Sequence, residues 1–578
     1  MRHIMIPLFC SLILLASCSK EPKPESGESE ETSVSTSELR PISRDSFVWN
    51  GTTIKKFIGK ETKVVIPEGV MRIGEEAFKG CSSLTSVVIP EGVTFIEDNA
   101  FAGCSSLTSV AIPDTVTEIG EAAFAGCTAL KEWTISSTHP YFKADGVGLL
   151  TKDGKELVAC LASAKEYRIP EGVTEIGGSA FSGCSSLTSV VIPEGVTEIE
   201  SSAFSGCSSL TSVVIPEDVT EIGDWAFEGC SSLTSVVIPE GVTEIEDDVF
   251  EGCSSLTSVV IPDSVKEING AAFGGCTALK ELSISSVNPY FKTDGPGLLT
   301  KDGKKLLACL PSATEYQIPE GVTEIGYDAF EDCSSLTSVE IPEGVTEIES
   351  SAFSGCSSLT SVVIPASVQT IDGTSFKGCT ALKEWSISSE NSNFKADGPG
   401  LLTKDGKKLV ACLASVTEYK IPEGVTEIGE CAFSRCSSLT SVVIPEGVTV
   451  IGNWAFSGCS SLKSVVIPEG VTEIGVSAFW GCSSLTSVVI PEGVTVIGSY
   501  AFRNCSSLTS VVITDGVTAI GGSAFVHCSS LTSVVIPESV TEIENGAFDY
   551  CPKLTIHAPA GSAAEKYARK NKIPFEAK

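Results

Sequence analysis

From Ile66 onward the sequence repeats itself every 23 residues, and that period constrains the fold more than any other feature. The segment Ile66-Pro67-Glu68-Gly69-Val70 returns almost unchanged at Ile89, Ile192, Ile215, Ile238 and Ile444. Each unit continues through an Ala-Phe pair (Ala77-Phe78), a cysteine (Cys81) and the run Leu84-Thr85-Ser86-Val87-Val88-Ile89. The phenylalanine recurs seventeen times, from Phe78 to Phe548. A unit this short cannot enclose its own apolar side chains, so the units must stack as the coils of a solenoid.

A period of about 20–29 residues, with Leu84, Val87 and Ile89 at L-x-x-L-x-L spacing, is the signature of a leucine-rich repeat. The spacing predicts that Ile66, Val70, Ile73, Ala77, Phe78, Cys81, Leu84, Val87 and Ile89 point inward and meet their counterparts one coil away. Adjacent coils then sit one strand spacing apart, ~4.8 Å. The expected fold class is a β-rich leucine-rich-repeat solenoid with short strands, a hairpin at its N-terminal end and a short helix at its C-terminal end, over residues 47–556 with a C-terminal cap at 557–578.

This pattern resembles the BspA-like, treponemal-type leucine-rich-repeat family of bacterial surface proteins, over nearly all of residues 47–578. The resemblance implies an exported, repetitive, adhesive protein that binds host matrix proteins or other bacterial cells. It supplies no catalytic residues to transfer.

The rhythm breaks three times, each time with a gap of 34 residues, at 135–168, 284–317 and 387–420. Each gap holds a near-copy of Tyr141-Phe142-Lys143-Ala144-Asp145-Gly146 followed by Leu149-Leu150-Thr151-Lys152-Asp153-Gly154-Lys155. Asp-Gly between apolar runs is a strong hairpin signal, which places turns at Asp153-Gly154, Asp302-Gly303 and Asp405-Gly406. Asn50-Gly51 stands at the same distance before Ile66, so 47–65 reads as the same device covering the first coil. The chain then divides into capped arrays of three, five, three and six coils. Two roles stay open for the interruptions: structural caps, or protruding binding loops. At the other end, Ser562-Ala563-Ala564-Glu565 reads as a capping box opening a helix over 562–571, with Tyr567 turned inward.

The first residues read as an export signal. Arg2 precedes an apolar stretch from Ile4 to Ala16, well short of the ~20 residues of a spanning helix. It ends in Leu15-Ala16-Ser17-Cys18, which resembles the lipobox of bacterial lipoproteins. That resemblance implies cleavage after residue 17 and acylation of Cys18, with membrane attachment through the lipid. Ser19 after the cysteine points to the outer membrane. Residues 19–46, rich in Ser, Glu, Thr and Pro, read as a disordered acidic spacer.

The formal charge of −34 argues against nucleic acid as a partner, because binding it needs clustered Lys and Arg. Histidine is nearly absent beyond the leader, and His139 aligns with Asn288 and Asn391 as a turn residue. Of 23 cysteines, seventeen occupy the repeat position. Cys160, Cys309 and Cys412 sit in the interruptions, and Cys431 is extra. No Cys-x-x-Cys occurs, so no metal or other cofactor is expected. Stacked in parallel, the repeat cysteines read as a reduced, buried ladder rather than disulfides. Ser82 and Ser83 recur as turn residues and no G-x-S-x-G elbow appears, so the chain is not expected to be an enzyme.

The remaining candidate site is the outer face of the strands. With Val87 and Ile89 turned in, alternation turns the next residues out. The resulting column is Val191, Val214, Val237, Val260, Val363, Val443, Val466, Val489, Val512 and Val535, broken by Ala111 and Glu340. It reads either as a protein-contact stripe or as plain β-branched strand composition. Two acidic columns accompany it, Glu171/Glu194/Glu217/Glu240 and Glu175/Glu198/Glu221/Glu244, expected to be solvated rather than bridged by calcium. The leading function is adhesion to a protein partner; the alternative is a structural or cation-linked surface spacer.

Overall fold

In each coil two short strands alternate with two tight turns. The coil starting at Ser189 shows the path. Strand Ser189–Val191 buries Val190 and exposes Val191, and a turn with Gly195 at φ +93° reverses the chain. A two-residue strand, Glu198–Ile199, buries Ile199. A second turn, with Ser202 at φ +57°, then carries Ala203 and Phe204 into the core, and Cys207 and Leu210 lead back to the next strand. The computed structural model describes residues 41–578; the export signal, the Cys18 lipobox and the spacer up to residue 40 lie outside the described residues.

Three ladders of backbone hydrogen bonds tie coil to coil. The first strands pair in parallel, as in Ser235↔Ser258, and so do the second, as in Glu198↔Glu221. The Ala-Phe turn makes the third: Phe204 N–H donates to the Ala226 carbonyl (2.7 Å), flanked by Ser202 N–H to Asp224 (2.8 Å) and Gly206 N–H to Glu228 (2.7 Å). The side chains follow this register. Phe181, Phe204, Phe227, Phe250 and Phe273 stack with ring centres 4.6–6.0 Å apart. Within an array each repeat thiol donates back to the phenylalanine carbonyl of the preceding coil, as Cys230 does to Phe204 (3.3 Å), whereas Cys184, Cys333 and Cys436, the first after each interruption, donate to the carbonyls of Cys160, Cys309 and Cys412. All described cysteines are unbridged, and every repeat cysteine is buried except Cys81 and Cys551. Those two lie in the end coils, where a full coil covers only one side. The other residues of the predicted inward set, from Ile66 to Ile89, are buried.

The interruptions are partitions rather than protruding loops. Each forms three antiparallel strands; in the first these are Phe142–Ala144, Gly148–Thr151 and Glu156–Cys160. The Asp153-Gly154 turn is present, and a second hairpin turn at Asp145-Gly146 precedes it. Strand alternation sends adjacent leucines into different cores. Leu149 joins the first array's core and Leu150 the second's; Leu298 and Leu299, then Leu401 and Leu402, divide in the same way. The chain therefore holds four hydrophobic cores in series, separated by strands buried on both faces.

The N-terminal hairpin, Phe47–Asn50 against Thr53–Phe57, repeats half of this device. Phe57 N–H donates to Ala77, as Cys160 N–H does to Ala180 (both 2.7 Å). The ordered chain starts earlier than Phe47: Ile42 N–H donates to Val65 (3.2 Å), and Arg44–Ser46 is a 3-10 turn capped by Ser43. From the same hairpin Lys56 reaches the last coil, its ammonium 4.8 Å from the centre of the Tyr550 ring.

At the C-terminal end, helix Ala563–Lys570 closes the last coil, and Tyr567 packs edge-on against Phe548. Ser562 caps it by accepting from Glu565 N–H (3.2 Å). The Glu565 carboxylate accepts from Gly561 N–H (2.6 Å) rather than from Ser562, whose amide already donates to Pro559. Beyond Pro574, Phe575–Ala577 adds a final parallel strand beside Thr555–Ala558.

His139 is wholly buried as a turn organiser. Its Nδ1 accepts from Tyr141 and Phe142 N–H (3.2 and 3.1 Å), while Nε2 meets the Pro113 carbonyl (2.9 Å). Asn288 and Asn391 do the same with an amide, which confirms the alignment of the three positions.

Leu149→Ala and Leu150→Ala should each cost ~2–5 kcal/mol, as buried leucine truncations do, but in different places. Hydrogen exchange is expected to show lost protection centred on 47–141 for the first and on 161–297 for the second. Identical exchange maps for the two variants would contradict the two-core partition.

Candidate functional site

The first strands leave a serine and a valine outside in most coils. Nine of the ten predicted valines are exposed, most of them by 41–59%. Val535 is half-buried, because the next strand brings His557 beside it in register. Val214 and Val466 stand out at 80% and 78%. In those two coils the strand shrinks to a single bridge at Ser212 and Ser464, so the ladder loosens and the side chain loses its lateral neighbours.

The second strands carry the acidic column. Glu175, Glu198 and Glu221 are in register one strand spacing apart, and so are Glu244 and Glu267. What heads each column differs between the interruptions. In the second and third, Lys305 and Lys408 stand opposite Glu324 and Glu427. Lys305 contacts Glu324 and lies 3.0 Å from Glu349, and Lys408 lies 2.7 Å from Glu427. In the first, Glu156 faces Glu175, carboxylate against carboxylate. Burial, then Glu200 and neighbouring carboxylates, push Glu175 up to about 7. Burial, then Glu200 and Asp153, raise Glu156. A second acidic group gathers where the second and third arrays meet. There burial and Asp328, Asp332, Asp248 and Glu251 push Glu331 up to about 8. Among the described residues no group of three or more His, Cys, Asp or Glu side chains has a metal-holding arrangement.

The chain matches the family described as BspA type leucine rich repeat region, six copies, at residues 56–145, 156–280, 303–397 and 426–555. It belongs to that family. Among solved structures, a leucine rich cell surface protein from Faecalibacterium prausnitzii is 28% identical over 82% of this chain and 95% of that one, with a TM-score of 0.32. A leucine-rich repeat protein from Bacteroides ovatus is 24% identical over 93% and 99% (TM-score 0.27), and one from T. pallidum 28% over 42% and 92% (TM-score 0.22). Comparison with curated protein sequences finds no match.

In this BspA-type coil the near-invariant surface is the strand face, and the variable surface is the Ala-Phe turn. Trp225, Tyr327, Trp454, Trp480, Tyr500 and Tyr550 are all exposed, and all lie within three residues of a repeat phenylalanine. The repeat does not mark them, because they do not recur from coil to coil. The signal was nonetheless present: between Ile73 and Cys81 and in the equivalent stretches, residues change from coil to coil while the strands stay constant. Cys18 lies outside the described residues. Among the described residues no helix is long and apolar enough to cross a membrane.

The Glu156–Glu175 pair makes stability pH-dependent with a definite sign. Both carboxyls bind protons more tightly folded than unfolded. The folded chain is therefore favoured below the ordinary carboxylate pKa of ~4.3 and loses that advantage as pH rises from there through about 7. Glu156→Lys, which copies Lys305 and Lys408, should remove part of this loss and add on the order of 0.2–1 kcal/mol at neutral pH. Thermal melts between pH 4.5 and 8 check it: the variant's curve should be the flatter of the two.

Proposed function

We propose that this protein is a lipid-anchored bacterial surface protein whose strand face adheres to protein partners, host matrix proteins or proteins of other bacterial cells. The observation that carries the reading is the column of exposed valines on a constant strand face. A long apolar stripe in water marks a contact surface more often than it marks an idle one. Its near-identity from coil to coil suits many weak, equivalent contacts, which multiply into avidity without a single sculpted pocket. Membership of the BspA-type family supports a binding rather than a catalytic role, and the similar Faecalibacterium prausnitzii protein is a cell surface protein, in keeping with export.

Within this reading Val191, Val214, Val237, Val260, Val363, Val443, Val466, Val489, Val512 and Val535 form the contact stripe. Cys18 carries the lipid, residues 19–40 hold the solenoid away from the membrane, and sorting is to the outer membrane.

Two measurements test the two halves separately. Val214→Lys, Val237→Lys and Val260→Lys together leave the core untouched. They should weaken retention on a panel of immobilised matrix proteins by about tenfold or more, since multivalent binding falls steeply when adjacent contacts are lost; unchanged retention would move the contact surface elsewhere. Cys18→Ala should release the protein from washed membranes into the soluble fraction, because the two or three acyl chains that anchor it are then absent. Persistence in the membrane fraction after a high-salt wash would remove the lipid anchor from the account.

A further inference from the structure

The third interruption leaves a cavity of about 440 Å³ on the turn face, lined by Lys377 from the third array and by Glu430, Arg435, Trp454, Trp480 and Asn504 from the fourth. At the first interruption the cavity that borders the corresponding turns, at Ala122, Ala125, Ser179 and Ser182, measures only about 10 Å³. The lining differs at several positions: Lys377, Glu430 and Arg435 stand where the first junction has Ala125, Gly178 and Gly183. The position before the repeat cysteine is glycine in twelve of seventeen coils, and its backbone is left-handed throughout. At the first junction Gly126 and Gly183 meet there so closely that a Cβ on Gly183 would lie 3.0 Å from the Gly126 nitrogen. At the third junction Arg435 takes the position, at φ +61°, and its guanidinium extends across the junction to within 3.7 Å of where a Cβ on Gly378 would be. A non-glycine residue held in this region costs about 1 kcal/mol or more, a cost shared by Asp332, Asn504, His527 and Tyr550 at the same position of other coils.

The groups around this cavity are available to a ligand. Among the described residues neither Arg435 nor Lys377 forms an ion pair, although the chain carries a net charge of −34. Trp454 and Trp480 come from successive coils and are 37% and 41% exposed. The Trp225 indole N–H donates to Asp248 (3.0 Å); those of Trp454 and Trp480 have no partner among the described residues. The cavity thus offers two indoles, two cations, and Glu430 and Asn504 as an acceptor and an amide.

We propose that this junction cavity binds a carboxylated sugar, with the C–H face of the ring on the Trp454 and Trp480 indoles and the carboxylate between Arg435 and Lys377. Apolar ring faces and a few convergent polar groups are what a small-ligand site consists of, and indole stacking suits a pyranose. Hydroxyl groups bond Glu430, Asn504 and the indole N–H donors. The site is separate from the valine stripe and stands whether or not that stripe is adhesive.

The repeats themselves supply fold-neutral variants. Arg435→Gly restores the residue of twelve other coils, and Trp454→Ser copies Ser477 and Ser523 at the same position. The full chain is titrated with sialyllactose and with trigalacturonate, using lactose as the neutral control and hexaglutamate as an acidic peptide, while tryptophan fluorescence is followed. At least one of the two acidic sugars should give saturable binding, and lactose and hexaglutamate none at the same concentrations. Arg435→Gly and Trp454→Ser should each weaken it at least fivefold. The proposal is overturned if neither acidic sugar binds, if lactose or hexaglutamate binds as tightly, or if either variant shifts the affinity less than fivefold.

Discussion

The contact on which this molecule depends is the one between a phenylalanine and the coils on either side of it. The Phe204 ring lies between those of Phe181 and Phe227, and its N–H bonds the Ala226 carbonyl of the next coil. Its carbonyl accepts both the amide of Cys207 and the thiol of Cys230. Ring burial, backbone pairing and thiol bonding are thus satisfied only by a neighbour, and no coil is complete alone. This explains why cysteine recurs: it is small enough for the core and still carries a donor for a carbonyl that would otherwise share one amide. Burial pushes Cys276 and Cys379, for example, up to about 12, so these thiols stay protonated and unreactive.

A ladder of this kind has no internal reason to stop, and the interruptions impose one. Because Leu149 and Leu150 serve different cores, the three-stranded insertion ends one array and begins the next without exposing either. Its position also changes what surrounds a coil. Lys305 and Lys408 meet acidic columns there, Glu331 and its neighbours crowd there, and Arg435 lines a cavity there.

The solenoid presents two outer surfaces with different logic. The strand face repeats, so a partner meets the same contact again and again, which favours avidity over selectivity. The Ala-Phe turns vary: serine, tryptophan, aspartate and tyrosine exchange at one position without disturbing the core, because that side chain points away from it. A surface that can vary freely is one where a particular coil can become specific, and the exposed aromatics are concentrated on it.

Most of the architecture was legible in the sequence. A 23-residue period with Phe78, Leu84 and Ile89 in fixed places admits stacked coils and little else. Asp-Gly turns and Ser562 with Glu565 mark the hairpins and the terminal helix through local chemistry that needs no distant partner. The alignment of His139 with Asn288 and Asn391 likewise reported a shared turn. Tertiary structure alone decided which side of each insertion faces which core, because Leu149 and Leu150 are equivalent as letters and differ only in the neighbour that strand alternation gives them. It alone brought Lys377 to Arg435 across an insertion, and Glu156 to Glu175. Periodicity records what each coil shares with the next, whereas a site is made by residues from different arrays, whose proximity depends on how the insertion between them folds.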